Sequence, residues 1–296
     1  MIEGYIDWLT VNRWYSKNSA NNYMRTLKMF NEYINRYWGF KVEECEKIKM
    51  EIIDAFVSFE KKIGKDLSTI NNYLSWLRNY LRYCKIHERG VIDYREIQNI
   101  KTRAKKIDSL TDDEVVLLIK YFHNVKAETK RQELIKIRNM IIVNLFIYTW
   151  LRCNELSSLR LEDMQEHMQI IGKWWIRRYM HFHEDDLRII NYYKFLRKEE
   201  EWWLLVNHAS NCDRDRLSNV AIETIIREWA RKAWIEWKVF PHKLRHTFAT
   251  QLLRNNANIY HIQKLLWHQN LNTTQHYLTV MNCELEATQN LVPRFW

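Results

Sequence analysis

Residues 241–253 read PHKLRHTFATQLL. On a helix this spacing puts His242 and Arg245 three residues apart on one face. Working outward, three further stretches carry residues of related chemistry. Residues 149–164, TWLRCNELSSLRLEDM, place Arg152 at an expected helix start just after an apolar helical run. Lys173 stands between two short β-capable runs, 168–171 and 176–182, which flank Gly172, Trp174 and Trp175 and suggest a hairpin. Residues 265–280, LLWHQNLNTTQHYLTV, set His268 nine residues before Tyr277.

The chain around these stretches reads as mainly α with a small antiparallel sheet. Residues 19–34 place Tyr23, Leu27, Phe30 and Ile34 on one helical face. Residues 67–83 do the same with Ile70, Leu74, Leu77 and Leu81, and Ser68 is the expected N-cap. Tyr73, Arg78 and Arg82 fall on other faces of that helix, which suits packing on one side and phosphate on the other. After residue 84 the apolar period breaks and Lys101, Arg103, Lys105 and Lys106 gather, as in a basic linker able to follow a DNA backbone. Thr111 and Glu114 form a capping-box signature that opens a helix through about residue 121. A buried helix over 140–148, the hairpin, and helices over 184–196, 218–233, 242–253, 259–266 and 273–281 follow. The expected organisation is a helical domain over 1–86, a linker over 87–106 and a mixed domain over 107–296.

Composition narrows the function classes. The longest apolar stretch, residues 140–147, is interrupted by Asn144 and is too short to span a bilayer. The N-terminus lacks the basic-then-apolar order of a signal peptide. Cys45, Cys84, Cys153, Cys212 and Cys283 are odd in number and scattered, and read as reduced thiols of a cytoplasmic protein. Lys and Arg number 46 against 36 Asp and Glu, a net charge of +10 that favours a polyanionic partner through counterion release. Charge alone does not name that partner.

Taken together, the ordered set Arg152, Lys173, His242-x-x-Arg245, His268 and Tyr277, in the contexts LRHTFAT and TTQHY, resembles the tyrosine recombinase (phage integrase) family, particularly its Xer-like bacterial members. The resemblance covers nearly the whole chain. It implies a SAM-like helical core-binding domain followed by an α+β catalytic domain. It further implies double-stranded DNA as substrate, with four protomers, identical or of two kinds, on two DNA sites. No cofactor, metal, membrane or small-molecule substrate is implied, and the sequence shows no P-loop, carboxylate cluster or metal-ligand set. Taken singly, His268 would be a packed histidine, Lys173 a solvated turn lysine and Tyr277 one of 16 tyrosines. The ordered set is what gives them chemistry.

Physical requirements of phosphodiester attack fit these residue types. Two guanidiniums are the natural clamp for charge on non-bridging oxygens, because each is permanently charged and can bond bidentately; Arg152 and Arg245 are the candidates. A phenol of ordinary pKa about 10 needs a base or nearby positive charge. The resemblance assigns the base to His242, a hydrogen-bond donor to the phosphate to His268, and the nucleophile to Tyr277. The departing 5′ oxygen needs a proton, the role of Lys173. Glu155 and Asp163 are candidates to orient Arg152. The alternatives are a catalytically impaired DNA-binding relic of the family and a site-independent topoisomerase-like relaxer.

The sequence departs from the family at its glycines. Where the family reads T-G-L-R, G-K-G and L-G-H, this chain has Trp150, Trp174 and Trp267, and Trp234 stands where a helix would end on a left-handed glycine. Asn256, another such position, is tolerable because Asn visits that conformation. About 7% glycine, roughly 20 residues, is usual for this length; here there are 5, against 14 tryptophans. The pattern is that expected if UGA codons for glycine were read as tryptophan.

Overall fold

The computed structural model describes residues 2–12, 15–102, 108–171, 177–198, 202–208, 215–235 and 238–266. The chain divides into two compact units, Met1–Ala104 and Lys105–Trp296. Among the described residues there are eleven α-helices and one two-stranded antiparallel sheet, so the chain is mainly α with a small sheet.

In the first unit, α1 (Ile2–Asp7) runs into a wider π-type turn, and α2 (Lys17–Trp38), α3 (Met50–Lys62) and α4 (Leu67–Ile86) pack on one another. α2 begins at Ser16, whose hydroxyl accepts from the Ser19 N–H, and ends at Gly39 with φ of 72°, a left-handed cap that glycine takes without strain. Leu27, Phe30 and Ile34 from α2 meet Phe56 from α3 and Leu74, Leu77 and Leu81 from α4 in one buried cluster. The expected faces of α2 and α4 are therefore the core faces.

Two expectations for α4 change. Its N-cap is Asp66, whose carboxylate accepts from the Ser68 N–H, and not Ser68. Arg78 donates from Nη1 to the Ile97 carbonyl at 2.6 Å and from Nη2 to Asn99 Oδ1 at 2.7 Å. Asn71 brackets Ile100, donating to its carbonyl and accepting from its N–H. With Ile97 buried in the same core, the stretch after α4 is laid against the first unit as far as residue 100. Sequence alone could not show this, because an irregular strap has no period.

In the second unit, α5 (Asp112–Asn124) opens on the expected capping box: Thr111 Oγ1 accepts from the Glu114 N–H and the Glu114 carboxylate from the Thr111 N–H. α6 (Lys130–Tyr148) is central, with α5, α8 (Glu184–Arg197), α9 (Asn219–Lys232) and α10 (Pro241–Arg254) packed on it. It starts a full ten residues before the expected helix, on a second capping box of Thr129 and Gln132. Being enclosed, it buries polar groups as well: the Arg138 guanidinium is satisfied by Asn139 Oδ1 and the Val206 carbonyl. β1 (His167–Ile171) and β2 (Arg177–His181) pair with His167 facing His181 and Ile171 facing Arg177. α7 (Cys153–Ser157) follows α6, and α11 (Ile259–Leu266) ends the described chain.

Candidate active site

Three of the six expected site residues meet at one place. α6 ends at Thr149, and the buried pair Trp150 and Leu151 turns the chain into α7. Arg152 caps α7: its N–H donates to Glu155 Oε2 at 2.9 Å and its Nη1 to Glu155 Oε1 at 3.2 Å. From the other side, extended Phe240 leads into Pro241 at the first turn of α10, where proline's fixed φ is already helical. That first turn presents His242 and Arg245 to Arg152, and the three line one cavity of about 230 Å³. This is below the ~300–1,000 Å³ usual for metabolite pockets.

The guanidinium of Arg245 is buried, with 5% of the residue exposed. It donates from Nη1 to the Trp150 carbonyl and from Nη2 to the Leu266 carbonyl at 2.6 Å. Arg152 Nη2 reaches that same Leu266 oxygen at 3.4 Å. The two cations thus converge on one oxygen, in a setting where an acceptor of greater negative charge would bind more strongly. Partial burial, then the charges of Arg245 and Arg152, hold the His242 imidazole below its ordinary pKa, and Glu223 on α9 opposes them. His242 is therefore a neutral acceptor near pH 7. Burial, then Glu223, push the thiol of Cys153 beside it up to about 11, which leaves little thiolate at neutral pH.

Glu155 contacts Arg152 as expected, whereas Asp163 lies beyond α7, which ends at Ser157. Lys173, His268 and Tyr277 lie outside the described residues, as do Trp174 and Trp267. Sequence reasoning missed Glu223, which lines the cavity from α9, and the carbonyls of Trp150 and Leu266, since backbone acceptors have no sequence signature. It also missed Lys243, almost fully buried and paired with Asp108 Oδ1 at 2.7 Å. Its neighbour Thr247 accepts from the Leu110 N–H, which ties the start of this unit to α10. Cys45, Cys84 and Cys153 are free thiols, and among the described residues no helix is long and apolar enough to cross a membrane.

Two guanidiniums converging beside an imidazole make a site suited to an anionic ligand, and comparison with known proteins gives the family. The phage integrase family model matches residues 108–282, and the phage integrase N-terminal SAM-like domain model matches residues 2–88. The chain belongs to the phage integrase family, the tyrosine recombinases. It is 27% identical over 301 residues to tyrosine recombinase XerD of Listeria monocytogenes serotype 4b (strain F2365), covering 97% of this chain and 96% of that relative. A XerH site-specific recombinase bound to palindromic difH substrate in a post-cleavage complex superposes with a TM-score of 0.74 at 20% identity, covering 92% of this chain and 79% of that one. A lambda integrase tetramer bound to a Holliday junction gives a TM-score of 0.69 at 16% identity, covering 93% and 75%.

Proposed function

We propose that this chain is a site-specific DNA recombinase that cuts and rejoins strands through a 3′-phosphotyrosyl bond to Tyr277. Arg152 and Arg245 clamp the non-bridging oxygens of the scissile phosphate, and their convergence on a single oxygen is the observation that carries the reading. Neutral His242 takes the phenolic proton as the Tyr277 oxygen bonds to phosphorus. The bond from phosphorus to the 5′ oxygen breaks, and Lys173 protonates that leaving oxygen. His268 donates a hydrogen bond to the phosphate. A 5′ hydroxyl of a partner strand then reverses the step. Because the phosphotyrosyl bond keeps the energy of the broken linkage, no ATP is required, and Arg152, Arg245 and Lys173 supply the charge and the proton for which a metal would otherwise be needed.

By analogy with the relatives, residues 1–86 grip the core of the DNA site, residues 107–296 carry the chemistry, and residues 87–106 join them. Four protomers, of one or two kinds, hold two double-stranded sites in the cytoplasm and pass through a Holliday junction. Likeness to XerD over nearly its whole length favours dimer resolution over integration and excision of a mobile element. A nicked suicide substrate carrying the chain's own site tests the reading. A covalent protein–DNA adduct that disappears in Tyr277→Phe supports it, and binding without an adduct assigns the chain to a DNA-holding relic instead.

A further inference from the structure

We propose that Glu166, His167 and His181 form a binding site for a divalent transition-metal ion, of the zinc or nickel type, that clips the open end of the β1–β2 hairpin. The site is separate from the cleavage chemistry and does not depend on it.

Strand register creates the site. Phe182 donates to the Glu166 carbonyl at 2.9 Å, so the Glu166–Phe182 rung is hydrogen-bonded. Alternation along an antiparallel ladder then makes the next pair, His167 and His181, the non-hydrogen-bonded kind, whose side chains stand closest on one face. Their ring centroids are 4.9 Å apart. Glu166 Oε1 lies 3.7 Å from His167 Nε2 and 4.0 Å from His181 Nδ1. One ligand atom from each of the three falls within 4.8 Å of the others.

Two imidazoles and a carboxylate are a donor set that suits zinc, nickel or copper, not calcium or magnesium, which prefer oxygen alone. Tetrahedral zinc with bonds of about 2.0–2.1 Å needs donors roughly 3.3 Å apart. All three side chains are exposed, at 66, 71 and 58% for Glu166, His167 and His181. The two carboxylate–imidazole separations are within an ångström of that spacing, and the widest pair, within 4.8 Å, closes through rotamer changes of exposed side chains that disturb no core. Water would complete the coordination. A bare pair of surface histidines would not need the carboxylate pointed at both rings.

Such an ion would matter to this hairpin in particular. A two-stranded ribbon is marginal by itself, and an ion held only by the paired strands adds its binding free energy to their pairing. The clip sits at the end of the ladder opposite the Ile171–Arg177 pair.

Calorimetric titration of the metal-stripped full chain with Zn²⁺ tests the site, alongside His181→Ala and Glu166→Gln. Both replaced side chains are exposed, and circular dichroism checks that the variants stay folded. The wild type is expected to bind one more equivalent than His181→Ala, and Glu166→Gln to retain that equivalent with weaker affinity. Zn²⁺ should raise the melting temperature of the wild type more than that of His181→Ala. Equal stoichiometry and equal thermal shifts in the wild type and His181→Ala would overturn the proposal.

Discussion

Arg152 and Arg245 share an acceptor: the carbonyl oxygen of Leu266 lies 3.4 Å from Arg152 Nη2 and 2.6 Å from Arg245 Nη2. They approach from different elements, one capping α7 and one from the first turn of α10. A backbone carbonyl carries only a partial charge, so a phosphate oxygen presented here would compete for both forks. Lysine keeps the charge but loses the fork. Arg152→Lys and Arg245→Lys should each reduce the rate of adduct formation on a suicide substrate by about 10²–10³-fold, while affinity in a gel-shift assay falls far less. An equal loss in both assays would show that the arginines serve binding alone.

Glu155 holds Arg152 in place twice, through the backbone N–H and through Nη1. Glu155→Ala removes both acceptors and frees the start of α7. The expected cost is about 1–2 kcal/mol, read as a lower midpoint in urea, with a slowing of adduct formation that Glu155→Gln partly restores. Gln keeps an oxygen for the N–H but has no charge for the guanidinium. Adduct rates equal to wild type in Glu155→Ala would remove Glu155 from the site.

The three described members of the candidate site, Arg152, His242 and Arg245, stand near helix starts, where the sequence is easiest to read. Three-residue spacing puts His242 and Arg245 on one face, and the resemblance marks them as site residues; elsewhere, Thr111 with Glu114 gives the start of α5 through a capping box that the structure contains. The parts that escaped depend on tertiary placement. The first half of α6 is polar in sequence yet buries Arg138 and Asn139, so the apolar period started late; the Thr129–Gln132 capping box was the signal that could have found it. Arg78, expected to face phosphate, also donates to the Ile97 carbonyl and to Asn99 Oδ1, contacts that its helical position does not reveal. His167 and His181 become neighbours only when the strand register is known.

The histidines set a pH dependence. His242 is held below its ordinary pKa by partial burial, Arg245 and Arg152, and His246 by burial, His242 and Arg245. For a base whose folded pKa is depressed, the unfolded chain takes up protons first as pH falls, so stability declines with acidification below the unfolded value of about 6.5. The decline stops once pH has passed the folded value. The melting temperature should therefore drop between pH 7 and pH 5, and His242→Gln should shrink the drop without abolishing it, since His246 remains. A melting temperature that is flat with pH, or that rises on acidification, would contradict this.

Trp234 has φ of 60° just past the end of α9, where its backbone N–H bonds to the Arg231 carbonyl, and 89% of its surface is exposed. Trp202 also has positive φ, at 88°, with 59% exposed. An indole in this region suffers the Cβ–carbonyl clash that glycine avoids, at about 1–2 kcal/mol, and with so little burial it has almost no packing to offset the cost. Asn256, at φ of 59°, tolerates the same backbone through its short polar side chain. Trp234→Gly should therefore stabilise the protein by about 1 kcal/mol or more, whereas Trp234→Ala, which keeps a Cβ, should recover little of that gain. The same backbone argument bears on the gene, because these are places where a glycine codon belongs. TGA is expected at codon 234, and TGG there would show that this tryptophan is native and that the strain is real; Trp150 is buried without a positive φ, so the backbone argument does not extend to it.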